Sequence, residues 1–145
     1  MQATSSPILR SCPACGRSNR VPHAHLADRG RCGACRAELP PIGEPLEVDG
    51  EAFDAIVGSS SVPVLVDFWA QWCAPCRAAA PHVFKVAREA AGRALVLKVE
   101  TDRHPEIAAR FGVQGIPNFL VLRQGTVVRQ EVGLADAPTM LSWLT

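Results

Sequence analysis

The chain has 145 residues, of which 48% are apolar and 20% charged, and its formal net charge is +1. A chain of this size can bury one good core and, beside it, a small unit that needs another means of stabilisation. The longest apolar run, 62–68, contains an aspartate and is far shorter than the ~20 residues of a membrane span, and the N-terminus has no basic start followed by a hydrophobic stretch. We therefore expect a soluble, unexported, cytoplasmic protein with no membrane partner.

The six cysteines form three Cys-x-x-Cys pairs: Cys12/Cys15, Cys32/Cys35 and Cys73/Cys76. Structural disulfides are disfavoured in an unexported chain because cytosolic reductants keep thiols reduced, so metal binding or redox catalysis is indicated. The charge also divides the chain. Residues 1–38 carry six arginines and two acidic residues (+4), whereas residues 39–145 carry nine basic and twelve acidic residues (−3).

A proline-rich stretch separates the first two cysteine pairs from the third. Residues 39–45 contain three prolines and one glycine, which predicts a stiff, extended linker rather than packed structure. The sequence therefore predicts a four-cysteine module at 1–38, a linker at 39–45 and a main domain at 46–145.

The first two pairs have the spacing of a four-thiolate zinc site. Two residues separate the cysteines within each pair, so that one tight turn presents both sulfurs, and sixteen residues separate Cys15 from Cys32. Fewer than 40 residues cannot form a sufficient core, so one Zn²⁺ would supply most of the module's folding free energy, on the order of 10 kcal/mol. The alternative is two disulfides or free thiols.

Nucleic-acid binding is the other function that a zinc module with six arginines suggests. A zinc ion with four thiolates carries −2, which lowers the charge of the module from +4 to about +2. No aromatic residue precedes Phe53, so the side chains on which single-stranded bases stack are missing. We therefore expect no nucleic-acid partner.

Helix and strand patterns alternate after the linker, which predicts an α/β domain. Asp49 and Asp136 are predicted to cap helices that end near Gly58 and Leu144. The other predicted elements, in chain order, are a buried strand at 62–68, a helix at 73–91 interrupted by Pro81, a strand at 95–99, a helix at 105–111 closed by Gly112, and a hairpin of strands 119–122 and 127–132 around Gln124 and Gly125. Leu46–Val48 is too short to assign alone.

The third pair follows a buried strand and opens a helix. At that position Cys73 meets unpaired backbone N–H groups and the positive end of the helix dipole, both of which favour a thiolate. Cys76 lies one turn further on the same face, where it can attack a mixed disulfide formed by Cys73. The arrangement predicts a dithiol catalyst with Cys73 as nucleophile.

The segment Asp67-Phe68-Trp69-Ala70 followed by Trp72-Cys73-Ala74-Pro75-Cys76 resembles the thioredoxin family. Lys98, the Gly115-Ile116-Pro117 turn and Gly133 extend the resemblance over residues 46–145. With the four-cysteine module in front, the chain resembles the zinc-binding bacterial thioredoxins. The resemblance implies a thioredoxin fold, with a central mixed sheet flanked by helices behind a small zinc-ribbon-like module.

The resemblance also implies roles for single residues. Asp67 lies in an apolar strand, where desolvation should raise its pKa, and becomes a candidate to take the proton of Cys76, with Lys98 as its partner. The alternative is a structural buried ion pair. Pro117 is expected to follow a cis bond, and the client protein is expected to contact Trp72, Ile116, Pro117 and Gly133.

The implied activity is reduction of protein disulfides, with an NADPH-dependent flavoenzyme, thioredoxin reductase, as electron donor. We expect a monomer. We also expect no bound organic cofactor, because no glycine-rich nucleotide loop is present. Ala74 and Asn118 depart from the residues usual in the family, glycine and threonine. Because fold and motif do not fix the redox direction, a disulfide oxidant or isomerase remains open, as does a binding scaffold with a redox-sensing zinc site.

Overall fold

The N-terminal module consists of two small antiparallel hairpins. The computed structural model describes residues 8–145. Strand β1 (Ile8–Ser11) pairs with β2 (Ser18–Val21), and β3 (Gly30–Arg31) pairs with β4 (Glu38–Leu39); a single 3-10 turn, His23–His25, lies between the hairpins. Each Cys-x-x-Cys pair of the module lies in the loop of one hairpin.

A five-stranded mixed sheet forms the centre of the remaining chain. Its strands are β5 (Leu46–Glu47), β6 (Val64–Trp69), β7 (Leu95–Glu100), β8 (Asn118–Arg123) and β9 (Thr126–Val132), in the spatial order β5-β7-β6-β8-β9. The first three are mutually parallel, whereas β8 runs antiparallel to β6 and β9 antiparallel to β8. The predicted α/β architecture is confirmed, and the short segment at Leu46 proves to be an edge strand.

Four helices cover the two faces of the sheet: α1 (Gly50–Ser59), α2 (Ala74–Glu89), α3 (Pro105–Arg110) and α4 (Ala137–Trp143). Apolar residues of α1 and α3 share one core with alternate residues of β6, while α2 and α4 pack on the opposite face. The predicted caps are confirmed. The Asp49 carboxylate accepts a hydrogen bond from Ala52 N at 2.8 Å, and that of Asp136 accepts one from Thr139 N at 2.9 Å.

The predicted interruption at Pro81 is wrong, because α2 continues through this residue. A proline removes one backbone hydrogen bond of a helix. Buried Ala79 and Val83 flank Pro81 and fasten both halves of α2 to the sheet, so packing outweighs that loss. None of the helices in residues 8–145 is both long and apolar enough to cross a membrane.

The segment expected to be an unpacked linker is partly buried. Leu39 and Ile42 are 7% and 4% exposed, and Ile42 N donates a hydrogen bond to Leu26 O at 2.9 Å. Leu26 and Ile42 belong to the same apolar core as helix α1. Pro41 contacts Gly92, just beyond the C-terminal end of α2. A helix of 16 residues is about 24 Å long. The module therefore packs at the end of α2 opposite to Cys73.

Candidate redox site and metal centre

The redox site begins where β6 ends. The chain leaves the sheet after Trp69, turns, and enters α2, with Cys73 as the residue that caps the helix. Cys73 and Cys76 form a disulfide, and Cys76 N donates a hydrogen bond to Cys73 Sγ at 3.2 Å. Both cysteines are almost fully buried, with 3% and 4% exposed. The helix N-terminus therefore stabilises negative charge on the sulfur of Cys73.

Two further loops meet at this disulfide. The Ile116–Pro117 peptide bond is cis, as the resemblance implies, and Ile116 O lies 3.7 Å from Cys73 Sγ. Gly133 N donates a hydrogen bond to Pro117 O at 2.8 Å. Gly133 has a φ of +103°, which side chains rarely permit, so a glycine is needed for this contact.

An exposed tryptophan stands beside the disulfide. Trp72 is 67% exposed, yet its orientation is fixed because Nε1 donates a hydrogen bond to Asp102 Oδ2 at 2.9 Å. Together with the half-buried Ile116 it gives the surface around Cys73 an apolar character. Trp72 was predicted from the sequence as a contact residue, but its partner Asp102 was not, because it lies thirty residues away in a loop.

A buried carboxyl group lies on β6, the strand that leads to the site. Side chains alternate along β6, so Leu65 and Asp67 share the face that α2 covers, and Asp67 is only 2% exposed. Desolvation raises the pKa of Asp67 to about 7; Lys98 opposes this shift and Glu47 adds to it. Asp67 Oδ1 has no hydrogen-bond partner among the described residues.

Lys98 lies directly opposite Asp67 on the neighbouring strand β7. Its Nζ lies over the ring of Trp69, 4.6 Å from the centroid, and within residues 8–145 no ion pair joins it to Asp67. The alternative of a closed structural ion pair therefore has no support in the geometry. A buried carboxyl with a raised pKa and no direct ion-pair partner can exchange protons near neutral pH.

The four N-terminal cysteines form one compact cluster in which all the sulfurs lie within 4.8 Å of one another. Cys12 Sγ lies 3.6 Å from Cys35 Sγ, and Cys15 Sγ lies 3.7 Å from Cys32 Sγ. A tetrahedral zinc ion with Zn–S bonds of about 2.3 Å requires sulfur separations of about 3.8 Å, so this donor set fits Zn²⁺. All four are unbridged, which excludes the alternative of two disulfides in this structure.

Comparison with known proteins agrees with both sites. The family described as Thioredoxin matches residues 44–145, and the family described as Thioredoxin 2, N-terminal, a zinc ribbon, matches residues 11–37. The chain belongs to the thioredoxin family. It is a thiol–disulfide oxidoreductase that reduces protein disulfides, and it has the thioredoxin fold with a zinc-ribbon module in front.

Individual thioredoxins are similar to this chain over most of their own length. Thioredoxin C-3 of Corynebacterium nephridii is 35% identical over 133 residues, which cover 92% of this chain and 90% of that protein. Thioredoxin 1 of Nostoc is 40% identical over 94 residues, or 65% of this chain and 88% of that one. The solved structure of a single-site mutant of a thioredoxin from Halobacterium salinarum superposes with a TM-score of 0.66 at 32% identity, covering 70% of this chain and 88% of that one.

One residue that contacts the four-cysteine cluster was not predicted from the sequence. Asn19 on β2 accepts a hydrogen bond from Gly33 N through Oδ1, at 2.9 Å, and donates through Nδ2 toward Cys32 Sγ, at 3.5 Å. It thus joins the first hairpin to the cysteine loop of the second. Hydrogen bonds from the backbone N–H groups of Cys35 and Ala34, which contribute most, and from Asn19 lower the pKa of the Cys32 thiol to about 6. No sequence signal singles out Asn19, because the contact forms only when the two hairpins meet.

The two residues that depart from the usual family residues, Ala74 and Asn118, have different surroundings. Ala74 is an exposed residue at the start of α2. Asn118 is 2% exposed; its Nδ2 donates a hydrogen bond to Gly115 O at 3.4 Å, and its Oδ1 accepts one from Gln130 Nε2 at 3.2 Å. Asn118 therefore links the loop that contains Ile116 and Pro117 to Gln130 on strand β9.

Proposed function

We propose that Cys73 and Cys76 reduce a client disulfide by two successive thiol–disulfide exchanges. The Cys73 thiolate attacks one sulfur of the client; the client S–S bond breaks, a Cys73–client bond forms, and the departing sulfur takes up a proton. The Cys76 thiolate then attacks Cys73 Sγ, which forms the internal disulfide and releases the second client sulfur as a thiol. Two electrons and two protons pass to the client.

The observation that carries this proposal is the placement of the disulfide at the first turn of α2, with Cys76 N donating to Cys73 Sγ. Of the two sulfurs, Cys73 Sγ accepts this backbone hydrogen bond at the helix N-terminus, so it is a better nucleophile and a better leaving group near neutral pH than Cys76 Sγ. Cys73 therefore opens the reaction and Cys76 closes it.

Trapping of the mixed disulfide tests this order. Cys76→Ser removes the resolving thiol, so this variant should accumulate a covalent complex with a protein disulfide such as insulin, visible by mass spectrometry. Cys73→Ser should accumulate none, and Cys15→Ser is a control that removes a cysteine outside the pair. Accumulation by Cys73→Ser instead of Cys76→Ser would reverse the assigned roles.

Asp67 is proposed as the group that takes the proton of Cys76 before the second exchange. It lies on the face of β6 beneath α2, and its pKa of about 7 suits proton transfer at neutral pH, either directly or through one water. Lys98 is a positioning residue in this scheme. Its positive charge limits the rise in the pKa of Asp67, so that the carboxylate is still populated near pH 7.

The client is proposed to lie across Trp72, Ile116, Pro117 and Gly133. The client sulfur has to approach Cys73 along the line of the bond that breaks, and Ile116 O beside Cys73 can accept a hydrogen bond from an extended client backbone. Trp72 supplies an exposed aromatic face that Asp102 holds in place.

The return of electrons to Cys73 and Cys76 is assigned to thioredoxin reductase, an NADPH-dependent flavoenzyme. The chain itself is proposed to bind no organic cofactor and to act as a monomer in the cytoplasm, where unbridged zinc-ligand cysteines persist. NADPH oxidation in the presence of a bacterial thioredoxin reductase and insulin measures the coupling, and a rate equal to that without this chain would contradict it.

One Zn²⁺ is proposed to be held by Cys12, Cys15, Cys32 and Cys35, within a module of residues 1–38 followed by residues 39–45 and a catalytic domain at 46–145. A four-thiolate shell is closed, so the ion has no open position for a reacting group and stabilises the two hairpins. Metal analysis of protein purified under reducing conditions should give one zinc per chain.

A further inference from the structure

A cavity of about 430 Å³ lies in the N-terminal module, beside the chain that connects it to the catalytic domain. Neither the redox cysteines nor the four cysteines of the metal centre line it. A ligand bound here would therefore compete neither with a client at Cys73 nor with zinc.

The charges around the cavity are strongly unbalanced. Four arginines line it, and the acidic residue among the lining side chains is Asp28. Asp28 is already engaged, because its Oδ2 lies 2.7 Å from His25 Nδ1. The nearby zinc centre with four thiolates would carry −2. Its sulfurs do not line the cavity. Arg29 forms an exposed ion pair with Glu38 at 3.9 Å, and Arg31 donates a hydrogen bond to Arg36 O. Arg10 and Arg20 are therefore the lining arginines whose side chains have no such partner among the described residues.

Arg10 is the arginine whose environment most requires an anion. It lies on β1 opposite Asn19, on the inner side of the hairpin shared with Ile8 and Val21. Its Nη1 is buried and finds no hydrogen-bond acceptor in the described part of the chain. A buried guanidinium nitrogen without a partner is costly. Arg10 also lines the cavity, so a rotation of its guanidinium group toward a bound carboxylate or phosphate oxygen would relieve that cost.

The remaining lining of the cavity is apolar. Leu26, Leu39 and Ile42 are all less than a tenth exposed, and Pro22 and Pro40 complete this surface. Sites for small organic molecules combine an apolar lining with a few polar groups, typically in about 300–1,000 Å³. The size and lining of this cavity fit a small molecule with an anionic group attached to an apolar body.

We propose that this cavity binds a small organic anion, whose phosphate or carboxylate group pairs with Arg10 and whose apolar part lies on Leu26, Leu39 and Ile42. Arg31 on the neighbouring hairpin adds a second guanidinium at the rim. Because Ile42 and Leu26 also belong to the core of the catalytic domain, the ligand would bind against the connection between module and domain.

Titration of the full-length, zinc-loaded protein tests the proposal, with phenyl phosphate as the probe and amide NMR shifts as the readout. We expect saturable shifts in residues 19–22, 26–31 and 39–42. Inorganic phosphate lacks the apolar part and benzyl alcohol lacks the charge, so both should bind more weakly by about tenfold or more. Shifts that do not saturate, or equal binding of benzyl alcohol, would overturn the proposal.

Arginine variants locate the anion. Arg10→Gln should weaken the binding of phenyl phosphate by at least about tenfold, because the substitution removes a charge-assisted pair. Arg17→Gln, a change of the same charge in the same module but outside the cavity lining, should leave affinity within about twofold. Equal losses in the two variants would show a diffuse charge effect and refute the site.

The zinc content and NMR spectrum of each variant report whether the module is folded. If Arg10→Gln releases zinc, the variant Arg31→Gln, at an exposed position, is measured instead. It should weaken the binding of phenyl phosphate by about threefold or more. Unchanged affinity in Arg31→Gln would then count against the assignment.

Discussion

The module and the catalytic domain use the same Cys-x-x-Cys spacing for opposite purposes. In the module each sulfur faces a sulfur of the other hairpin, at 3.6 and 3.7 Å, whereas in the catalytic domain Cys73 bonds to Cys76 within its own turn. The difference follows from the residue after the second cysteine. Gly16 and Arg36 have φ values of +78° and +68° and return the chain to a strand, whereas Arg77 continues α2.

This comparison shows why the spacing alone does not determine function. A turn that reverses the chain leaves both sulfurs in the loop of a hairpin, where a second loop can complete a metal shell. A helix places the second sulfur behind the first and supplies the dipole that activates the first. The two regions should therefore respond independently to changes in their cysteines.

Removal of zinc should have the largest effect, and it should be confined to one region. The module has a small core of Cys12, Cys32 and Leu39, so the metal supplies most of its stability, on the order of 10 kcal/mol. After chelation under reducing conditions, amide exchange protection should disappear in β1–β4 and persist in β6, β7 and β8. Loss of protection throughout the sheet would show that the two regions fold as one unit.

Replacement of the nucleophile should be the next largest effect. Cys73→Ser should abolish insulin reduction, with turnover lowered by at least about 10³-fold because no other thiol starts the exchange. The same variant should retain one zinc. Cys15→Ser is the reciprocal control, which should lose zinc and keep turnover within about threefold. The module packs beyond the C-terminal end of α2, a helix about 24 Å long, whereas Cys73 lies at its N-terminus.

Asp67→Asn should affect both rate and stability, in opposite directions. If the carboxylate accepts the proton of Cys76, the rate of the resolving step in the native protein increases as the pH passes through about 7. In the variant this rate should be lower by about tenfold or more and should no longer increase over this pH range. Rapid-quench measurement of mixed-disulfide decay between pH 5.5 and 8.5 gives both profiles. Asp54→Asn, an exposed aspartate paired with Arg110, is the control.

The stability effect of Asp67 has a defined sign. Its pKa is raised from 3.8 to about 7 in the folded chain, so the folded state binds more protons than the unfolded state between these values, and native stability falls as pH rises through that window. Above pH 7 the buried charge costs about 4 kcal/mol. Asp67→Asn should therefore unfold at higher denaturant at pH 8 but not at pH 3.5, and equal midpoints at pH 8 would contradict the burial of a charged Asp67.

The smallest effect is expected at Asn19. Asn19→Ala removes the bonds to Gly33 and Cys32, and groups that support metal ligands in this way typically contribute about tenfold or more in metal affinity. Competition with a zinc chelator should show this loss, and insulin turnover should be unchanged. Ser18→Ala, an exposed neighbour on β2, should leave zinc affinity unaltered.

Local signals accounted for much of the catalytic domain. The caps Asp49 and Asp136, the buried strand β6 and the hairpin at Gln124 and Gly125 follow from side-chain chemistry and alternation within a few residues. The two cysteine turns of the zinc-ribbon module and the redox pair were equally visible, because the spacing within each pair is local.

The features that the sequence did not reveal all depend on distant segments. Asn19 contacts Gly33, Trp72 is held by Asp102, and Ile42 is buried against Leu26. Proline content predicted an unpacked linker, but it does not report where the apolar residues between the prolines are buried. The paired hairpins of the module were not predicted because their strands are two to four residues long.

The reduction potential of the Cys73/Cys76 pair tests the central claim most directly. Zinc-loaded protein is equilibrated against a series of dithiothreitol buffers, and the disulfide fraction is read by alkylation and mass spectrometry. A reductase requires a reduction potential of about −270 mV, which is typical of thioredoxin. At this potential the dithiol can donate electrons to protein disulfides. A value of about −180 mV or higher would mean that Ala74 and its surroundings stabilise the dithiol, and would contradict the assignment of this chain as a reductase.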